Sequence, residues 1–285
     1  MQPHTLPQAI DLRILGACNL HCPFCFGPRH ELNQVSLKAL LQLLAELPPY
    51  GVKRIVITGG EPTLVRELPM ILAAAKSLQL KTVLSTNGLL MKNRLDEIAP
   101  HLDWIGIPLD GDSPDSNCRM RLGHPRHFET VLELIAMIKT RYPHLRIKLG
   151  TVVCALNKDH VVGITKVIQE DYKPDVWKLY PVAYSSYAED NKEQLLLSDE
   201  DLDSIIAQAL AEAKNRGITA TTFTREERNG AHLFLEPTGD AMVVSDAVEK
   251  HIGNFFDDFN HVLNSWQRFI DVARLEQNFL NTYPD

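Results

Sequence analysis

The chain has 285 residues, 45% hydrophobic and 23% charged, with 29 basic against 36 acidic side chains and a formal charge of −7. This is the make-up of a globular protein able to bury a large core, and 15 Gly and 17 Pro exclude collagen-like or low-complexity character. No Lys/Arg block is present to hold duplex nucleic acid, no apolar run reaches the roughly 18 residues that span a bilayer, and the start MQPHTLPQAIDLRI lacks a signal-peptide pattern, so a cytoplasmic protein off the membrane is expected.

An apolar run over residues 10–16 predicts the first strand, and Leu37, Leu40, Leu41 and Leu44 recur at helical spacing over 36–47. Residues 53–58 (KRIVIT) form a β-branched strand ending in Gly59-Gly60-Glu61-Pro62. Then follow a helix near 64–78, a strand at 81–85, a helix near 92–99, a strand at 103–109, a helix at 127–140, a strand at 146–153, a helix at 158–170 and a strand at 175–180. Strand and helix alternating in this way make a parallel sheet, either a partial open barrel or a doubly wound sheet. In both the site lies at the carboxyl ends of the strands, where the chemistry-bearing segments fall. After about 185 the pattern changes: a helix over 199–213 capped by Ser198, two short strands within 231–244 around a Pro-Thr-Gly-Asp turn, and a helix within 260–280.

Three of the five cysteines lie on one loop after the first strand, Cys18, Cys22 and Cys25 in a C-x₃-C-x₂-C pattern. Three soft sulfurs so close suit an iron–sulfur cluster or zinc. Zinc would need a fourth ligand, for which His21 and His30 stand near, but no second Cys/His cluster exists to complete a zinc module. A [4Fe–4S] cluster on three cysteines leaves one iron open to another ligand. An odd cysteine number in such a chain does not read as a disulfide framework.

The cysteine loop with Phe24 before its last cysteine, followed by Gly59-Gly60-Glu61-Pro62 after the second strand, resembles the radical S-adenosylmethionine (SAM) enzymes. The resemblance implies a partial (β/α)₆ barrel of TIM type over residues 1–185, with residues 186–285 as a C-terminal α+β extension covering the barrel mouth. It implies a [4Fe–4S] cluster on Cys18, Cys22 and Cys25 and SAM held by Phe24, Gly59, Gly60, Glu61 and Pro62. Ser85 and Asn87 resemble the family's polar contacts to SAM, and Asp110 and Thr151 are strand-end positions of the same kind. Reductive cleavage of SAM to a 5′-deoxyadenosyl radical, hydrogen abstraction from a substrate, and an electron donor such as flavodoxin or ferredoxin follow from the resemblance.

With Cys118 and Cys154 the only other thiols, auxiliary clusters are excluded. Among single-cluster members the segments CNLHCPFCF, RIKLGTVV and VWKLY are most similar to the viperin-like enzymes, which dehydrate nucleoside triphosphates. That likeness puts Lys148 and Lys178 at positions facing a triphosphate, and two lysines on adjacent strands suit a small anionic substrate. The chain departs from the pattern at Val56, Ala155 and Gly239, where the relatives carry a polar residue, an arginine and a tyrosine. Arg29, His30, Tyr180 and the basic stretch 119–126 (RMRLGHPR) are further substrate-contact candidates. Two other readings stand beside this one: a maturase acting on a peptide side chain, and a non-catalytic metal-binding or redox-sensing protein.

Overall fold

A computed structural model describes residues 8–28, 36–222, 227, 232–245, 248–269 and 283. Its elements run β1 (Ala9–Arg13), α1 (Leu37–Glu46), β2 (Arg54–Thr58), α2 (Leu68–Ser77), β3 (Lys81–Ser85), α3 (Met91–Ile98), β4 (Trp104–Pro108), α4 (Pro114–Met120), α5 (His127–Arg141), β5 (Arg146–Val153), α6 (Ile164–Val167) and β6 (Val176–Pro181). There follow α7 (Tyr187–Asp190), α8 (Lys192–Leu195), α9 (Asp199–Asn215), β7 (Ala220–Thr222), β8 (Leu233–Leu235), β9 (Asp240–Ser245), β10 (Val248–Asn254) and α10 (Phe259–Trp266).

The strands form one sheet in the order β10-β9-β8-β1-β2-β3-β4-β5-β6-β7. Strands β1 to β7 pair in parallel, each with the next in sequence, and β8 joins β1 in parallel before β9 and β10 run antiparallel. A doubly wound sheet would reverse its strand order part-way, which this one does not, so of the two expected architectures the partial barrel is the one found. Residues after 186 extend the same sheet at both edges, with β7 on one side and β8 to β10 on the other.

Side chains alternate along the barrel strands with the period of two that pleating imposes. Ile10, Leu12, Ile55, Ile57, Leu84, Ile147, Leu149, Trp177 and Leu179 point out to the helices and make the main core. Asp11, Arg13, Val56, Thr58, Ser85, Gly106, Lys148, Gly150, Lys178 and Tyr180 point in and line a cavity. Each fully buried aliphatic on the outer face contributes about 1.5–3 kcal/mol. The helices that carry the outer layer start where local chemistry dictates: Ser36 and Ser198 accept from Ala39 N and Asp201 N, and Asp199, Glu200 and Asp201 fill the first turn of α9.

Three expectations change. The helix expected over 158–170 is mostly turns around α6, because Val161, Val162, Gly163 and Thr165 are poor helix formers and Asn157 ties the preceding loop to Asp110 O and Val152 O. The start expected at residue 64 is taken by a single turn, Pro62–Leu64, so α2 begins later. Helix α4, not expected, is nucleated by a Ser113 capping box with Pro114 in the first turn. The paired strands expected within 231–244 are β8 and β9, and β7 and β10 join them unforeseen. Of the helix expected within 260–280, α10 is described to Trp266 and residues 270–282 lie outside the described residues. Among the described residues no helix is long and apolar enough to cross a membrane.

Candidate active site

The cavity, about 340 Å³, opens at the carboxyl ends of the strands and is lined by Cys18, Cys22 and Cys25 together. A backbone turn from Cys25 N to Cys22 O closes the loop, and Phe24, buried beneath it, is covered by the Arg121 guanidinium 4.9 Å from its ring. Arg121 Nε donates to Asp110 Oδ2 at 2.6 Å and its Nη1 approaches Cys22 Sγ at 3.6 Å. Burial pushes the Cys22 thiol up to about 12 and raises Cys18 and Cys25 as well, with Arg121 opposing the rise at all three. Three sulfurs on one wall, Cys22 buried and Cys18 and Cys25 half-buried, become thiolates when a cationic group balances them, which is the donor chemistry of an iron–sulfur cluster. Among the described residues no three His, Cys, Asp or Glu side chains converge on a single ion. His21 is exposed and outside the cavity lining, and Arg29 and His30 lie outside the described residues.

Gly59 and Gly60 follow β2 and press against the entry to the cysteine loop. A Cβ on Gly60 would lie 2.1 Å from Ala17 O, and one on Gly59, at φ 147°, 2.5 Å from Leu15 O. Only glycine allows that approach. Both glycines line the cavity; the side chains of Glu61 and Pro62 do not. The Glu61 carboxylate is wholly buried and accepts from Thr63 N (3.0 Å), Thr63 Oγ1 (2.5 Å), Thr86 Oγ1 (2.6 Å) and Asn87 N (2.7 Å). It therefore ties the turn after β2 to the turn after β3.

Ser85 and Asn87 line the cavity beside Cys18. Asn87 Nδ2 donates to Asn19 Oδ1 at 2.7 Å and approaches Cys18 Sγ at 3.9 Å, while its carbonyl accepts from His127 Nε2 at 3.0 Å. Burial holds His127 down to about 3, so it stays neutral and keeps that donor in place. Asp110 and Thr151 do not line the cavity. Asp110 is fully buried behind the wall, accepting from Arg121 Nε and, at 2.7 Å, from Val152 N. Thr151 falls on the outward phase of β5, donating to Leu109 O (2.6 Å) and accepting from Trp177 Nε1 (2.9 Å). Thr151→Val, which strands the buried indole N–H, is expected to cost about 1–3 kcal/mol in urea unfolding. SAM affinity should stay at the wild-type value, and a change there at unchanged stability would restore a ligand role.

Lys148 and Lys178, 9% and 3% exposed, line the same cavity as the cysteines. Room for them comes from glycines at inward strand positions: Gly106 pairs with Lys148 and Gly150 with Lys178, and a Cβ on Gly106 would sit 3.2 Å from Lys148 Cε. Lys148 Nζ donates to Tyr283 Oη at 2.9 Å and lies 4.9 Å from that ring, while Lys178 lies 5.5 Å from the Tyr180 ring. Burial, aided by the Lys148 charge, pulls Lys178 down to about 7. Burial pushes the Tyr283 phenol up, so it is neutral beside Lys148.

Asp11, Arg13, His232 and Tyr283 are among the cavity residues that were not singled out from sequence. Asp11 Oδ2 pairs with His232 Nδ1 at 2.8 Å, and Arg13 is clamped by Glu236 and, at 2.9 Å, Glu249. The signal was there for two of them: charges at alternate positions of the apolar strand AIDLR mark its inward face. His232 and Tyr283 carried no local signal. Of residues 119–126 only Arg121 lines the cavity, as do Val56 and Tyr180; Ala155 and Gly239 do not. Gly239 sits at φ 91° where a Cβ would meet the Phe256 ring at 2.2 Å, so a side chain there would strain the backbone and displace that ring.

Residues 12–167, more than half of the chain, match the family model of the radical SAM superfamily, and the chain belongs to that superfamily. Such enzymes use a [4Fe–4S] cluster and SAM, so the protein is an enzyme of this chemistry rather than a non-catalytic metal-binding protein. It is similar to the S-adenosylmethionine-dependent nucleotide dehydratase of Flammeovirga pacifica, 24% identical over 287 residues that cover 94% of this chain and 95% of that protein. A protein of the same name from Selenomonas ruminantium is 27% identical over 264 residues, covering 88% and 94%. Among solved structures, Streptococcus suis SuiB bound to its precursor peptide SuiA superimposes with a TM-score of 0.74 at 17% identity, covering 95% of this chain and 66% of SuiB, a likeness of fold.

Proposed function

We propose that this enzyme dehydrates a nucleoside triphosphate, abstracting hydrogen from its sugar. The observation that carries the reading is that Lys148 and Lys178 open onto the same cavity as Cys18, Cys22 and Cys25. The two relatives named as nucleotide dehydratases, matched over nearly their full length, support it. SuiB shares the fold at a lower identity, which gives the peptide reading less weight.

In this reading Cys18, Cys22 and Cys25 hold the cluster, and Gly59 and Gly60 offer bare backbone to the methionine end of SAM, with Phe24, Ser85 and Asn87 around it. When bound, the cluster and SAM supply an electron and the 5′-deoxyadenosyl radical. The chain's own residues orient and exclude water. Lys148 and Lys178 grip the polyphosphate and fix the sugar toward the cysteine wall, while Tyr180 and Tyr283 shape the cavity floor. Residues 186–285 serve as an extension whose β8 to β10 strands wall the mouth through the Arg13 clamp. The five free thiols suit a reducing cytoplasm, and flavodoxin or ferredoxin the role of electron donor.

The test is anaerobic reconstitution with iron and sulfide, reduction with dithionite, and incubation with SAM plus CTP, GTP, UTP or ATP, following 5′-deoxyadenosine and the nucleotide by chromatography. One nucleotide should stimulate cleavage and yield a product lighter by one water. Cleavage indifferent to all four would overturn the reading. Lys148→Ala and Lys178→Ala should each weaken nucleotide binding about 10–100-fold, the loss of a charge-assisted contact, while leaving slow uncoupled SAM cleavage. Because Lys178 titrates near 7, its charged form fades as pH rises. Nucleotide affinity is therefore expected to fall up to tenfold per pH unit above about 7 in the wild type and to lose that slope in Lys178→Ala.

A further inference from the structure

The cavity does not treat its two lysines alike. Lys148 Nζ donates to Tyr283 Oη at 2.9 Å and faces two rings, Tyr283 at 4.9 Å and Tyr180 at 5.9 Å. Burial works against its charge, but Tyr180 and Tyr283 outweigh burial and push its titration up, so Lys148 stays an ammonium. Lys178, on the neighbouring strand and 3% exposed, lies 5.5 Å from the same Tyr180 ring. Burial and then the Lys148 charge pull it down to about 7, with Glu227 and Asp11 opposing. Across the cavity Asp11 is itself paired with His232 at 2.8 Å, and Arg13 with Glu236 and Glu249. A lysine buried beside a second cation is the arrangement that turns an ammonium into a nucleophilic amine near neutral pH. The fixed ammonium next to it offers a seat for one carboxylate. The pair therefore suits a molecule in which an electrophilic carbon adjoins a carboxylate, as the keto carbon of an α-keto acid does.

We propose that Lys178 forms a Schiff base with a small α-keto acid whose carboxylate rests on Lys148. The Nζ lone pair attacks the keto carbon, a C–N bond forms as the C=O π bond opens, and the oxygen takes a proton from nitrogen to give a carbinolamine. The hydroxyl then leaves as water with a second proton from nitrogen, whose lone pair closes the C=N bond. Nothing is oxidised or reduced. The Asp11–His232 pair, within electrostatic reach of Lys178, carries these protons from nitrogen to oxygen. The proposal shares both lysines with the nucleotide reading but does not depend on it, and a keto acid in this seat competes with the polyphosphate.

The test uses the reconstituted protein with pyruvate as the probe and cyanoborohydride, which reduces an imine to a stable secondary amine, followed by peptide mass mapping. One carboxyethyl group per chain should appear on Lys178. At pH 8 its labelling should exceed that of the exposed Lys53 and Lys81 by at least about tenfold. The advantage should shrink below pH 7, where Lys178 becomes an ammonium. Methyl pyruvate, electrophilic but uncharged, should lose most of the preference, as should pyruvate with Lys148→Met, which keeps the length and removes the charge. The ester needs no variant, so it tests the carboxylate seat even if Lys148→Met fails to fold. Labelling of Lys178 no faster than of Lys53 and Lys81, or an equal preference with methyl pyruvate, would overturn the proposal. Selective labelling that CTP, GTP, UTP and ATP all fail to slow would uphold it while striking the nucleotide reading, and slowing by one of them would support both.

Discussion

Cys22→Ala is expected to lose its visible absorbance, to fall from about four iron and four sulfide per chain to near zero, and to form no 5′-deoxyadenosine above background. Two sulfurs cannot hold what three hold, and the remaining pair on this loop has no fourth side chain converging on it among the described residues. The fold should survive, because the lost side chain is small and Arg121 keeps its 2.6 Å anchor on Asp110. A circular dichroism melting curve close to wild type, alongside the missing iron, separates loss of the site from loss of the fold. Wild-type iron content in the variant would show that Cys22 is not a ligand.

Glu61→Ala should be the most destabilising single change in this region, by about 3–5 kcal/mol in urea unfolding. It removes the acceptor of four buried donors, Thr63 N, Thr63 Oγ1, Thr86 Oγ1 and Asn87 N. Glu61→Gln keeps the shape but presents an amide N–H to one of those donors, so it should recover part of the loss. If the carboxylate instead met a ligand, Glu61→Gln would weaken SAM binding at an unchanged unfolding midpoint, and isothermal titration beside the urea curve distinguishes the two.

Much of the barrel was legible because it is written locally. Strands β3 and β5 fall where β-branched runs end at turn residues, Ser36 and Ser198 announce their helices, and the cysteine and GGEP motifs each fit within a few residues. Thr151 shows the limit: its place at a strand end suggested a ligand, but the phase of β5 set by Lys148 and Gly150 turns it outward. The cavity's far side was hidden for another reason. Arg13 meets Glu236 across 223 residues, Asp11 meets His232 across 221, and Lys148 meets Tyr283 across 135. Partners so distant leave no periodicity in any window of sequence.

The same separation bears on how the protein is made. Strand β1, which leads into the cysteine loop, lies between β2 and β8, and among the described residues its second edge pairs with Phe234 and Leu235. During synthesis that edge stands open from the emergence of β2 until more than 170 further residues have left the ribosome, a nascent template for misplaced strand pairing. Asp11 and Arg13, charged and pointing inward beside that edge, are parts of the finished wall and of the residue type that discourages such pairing.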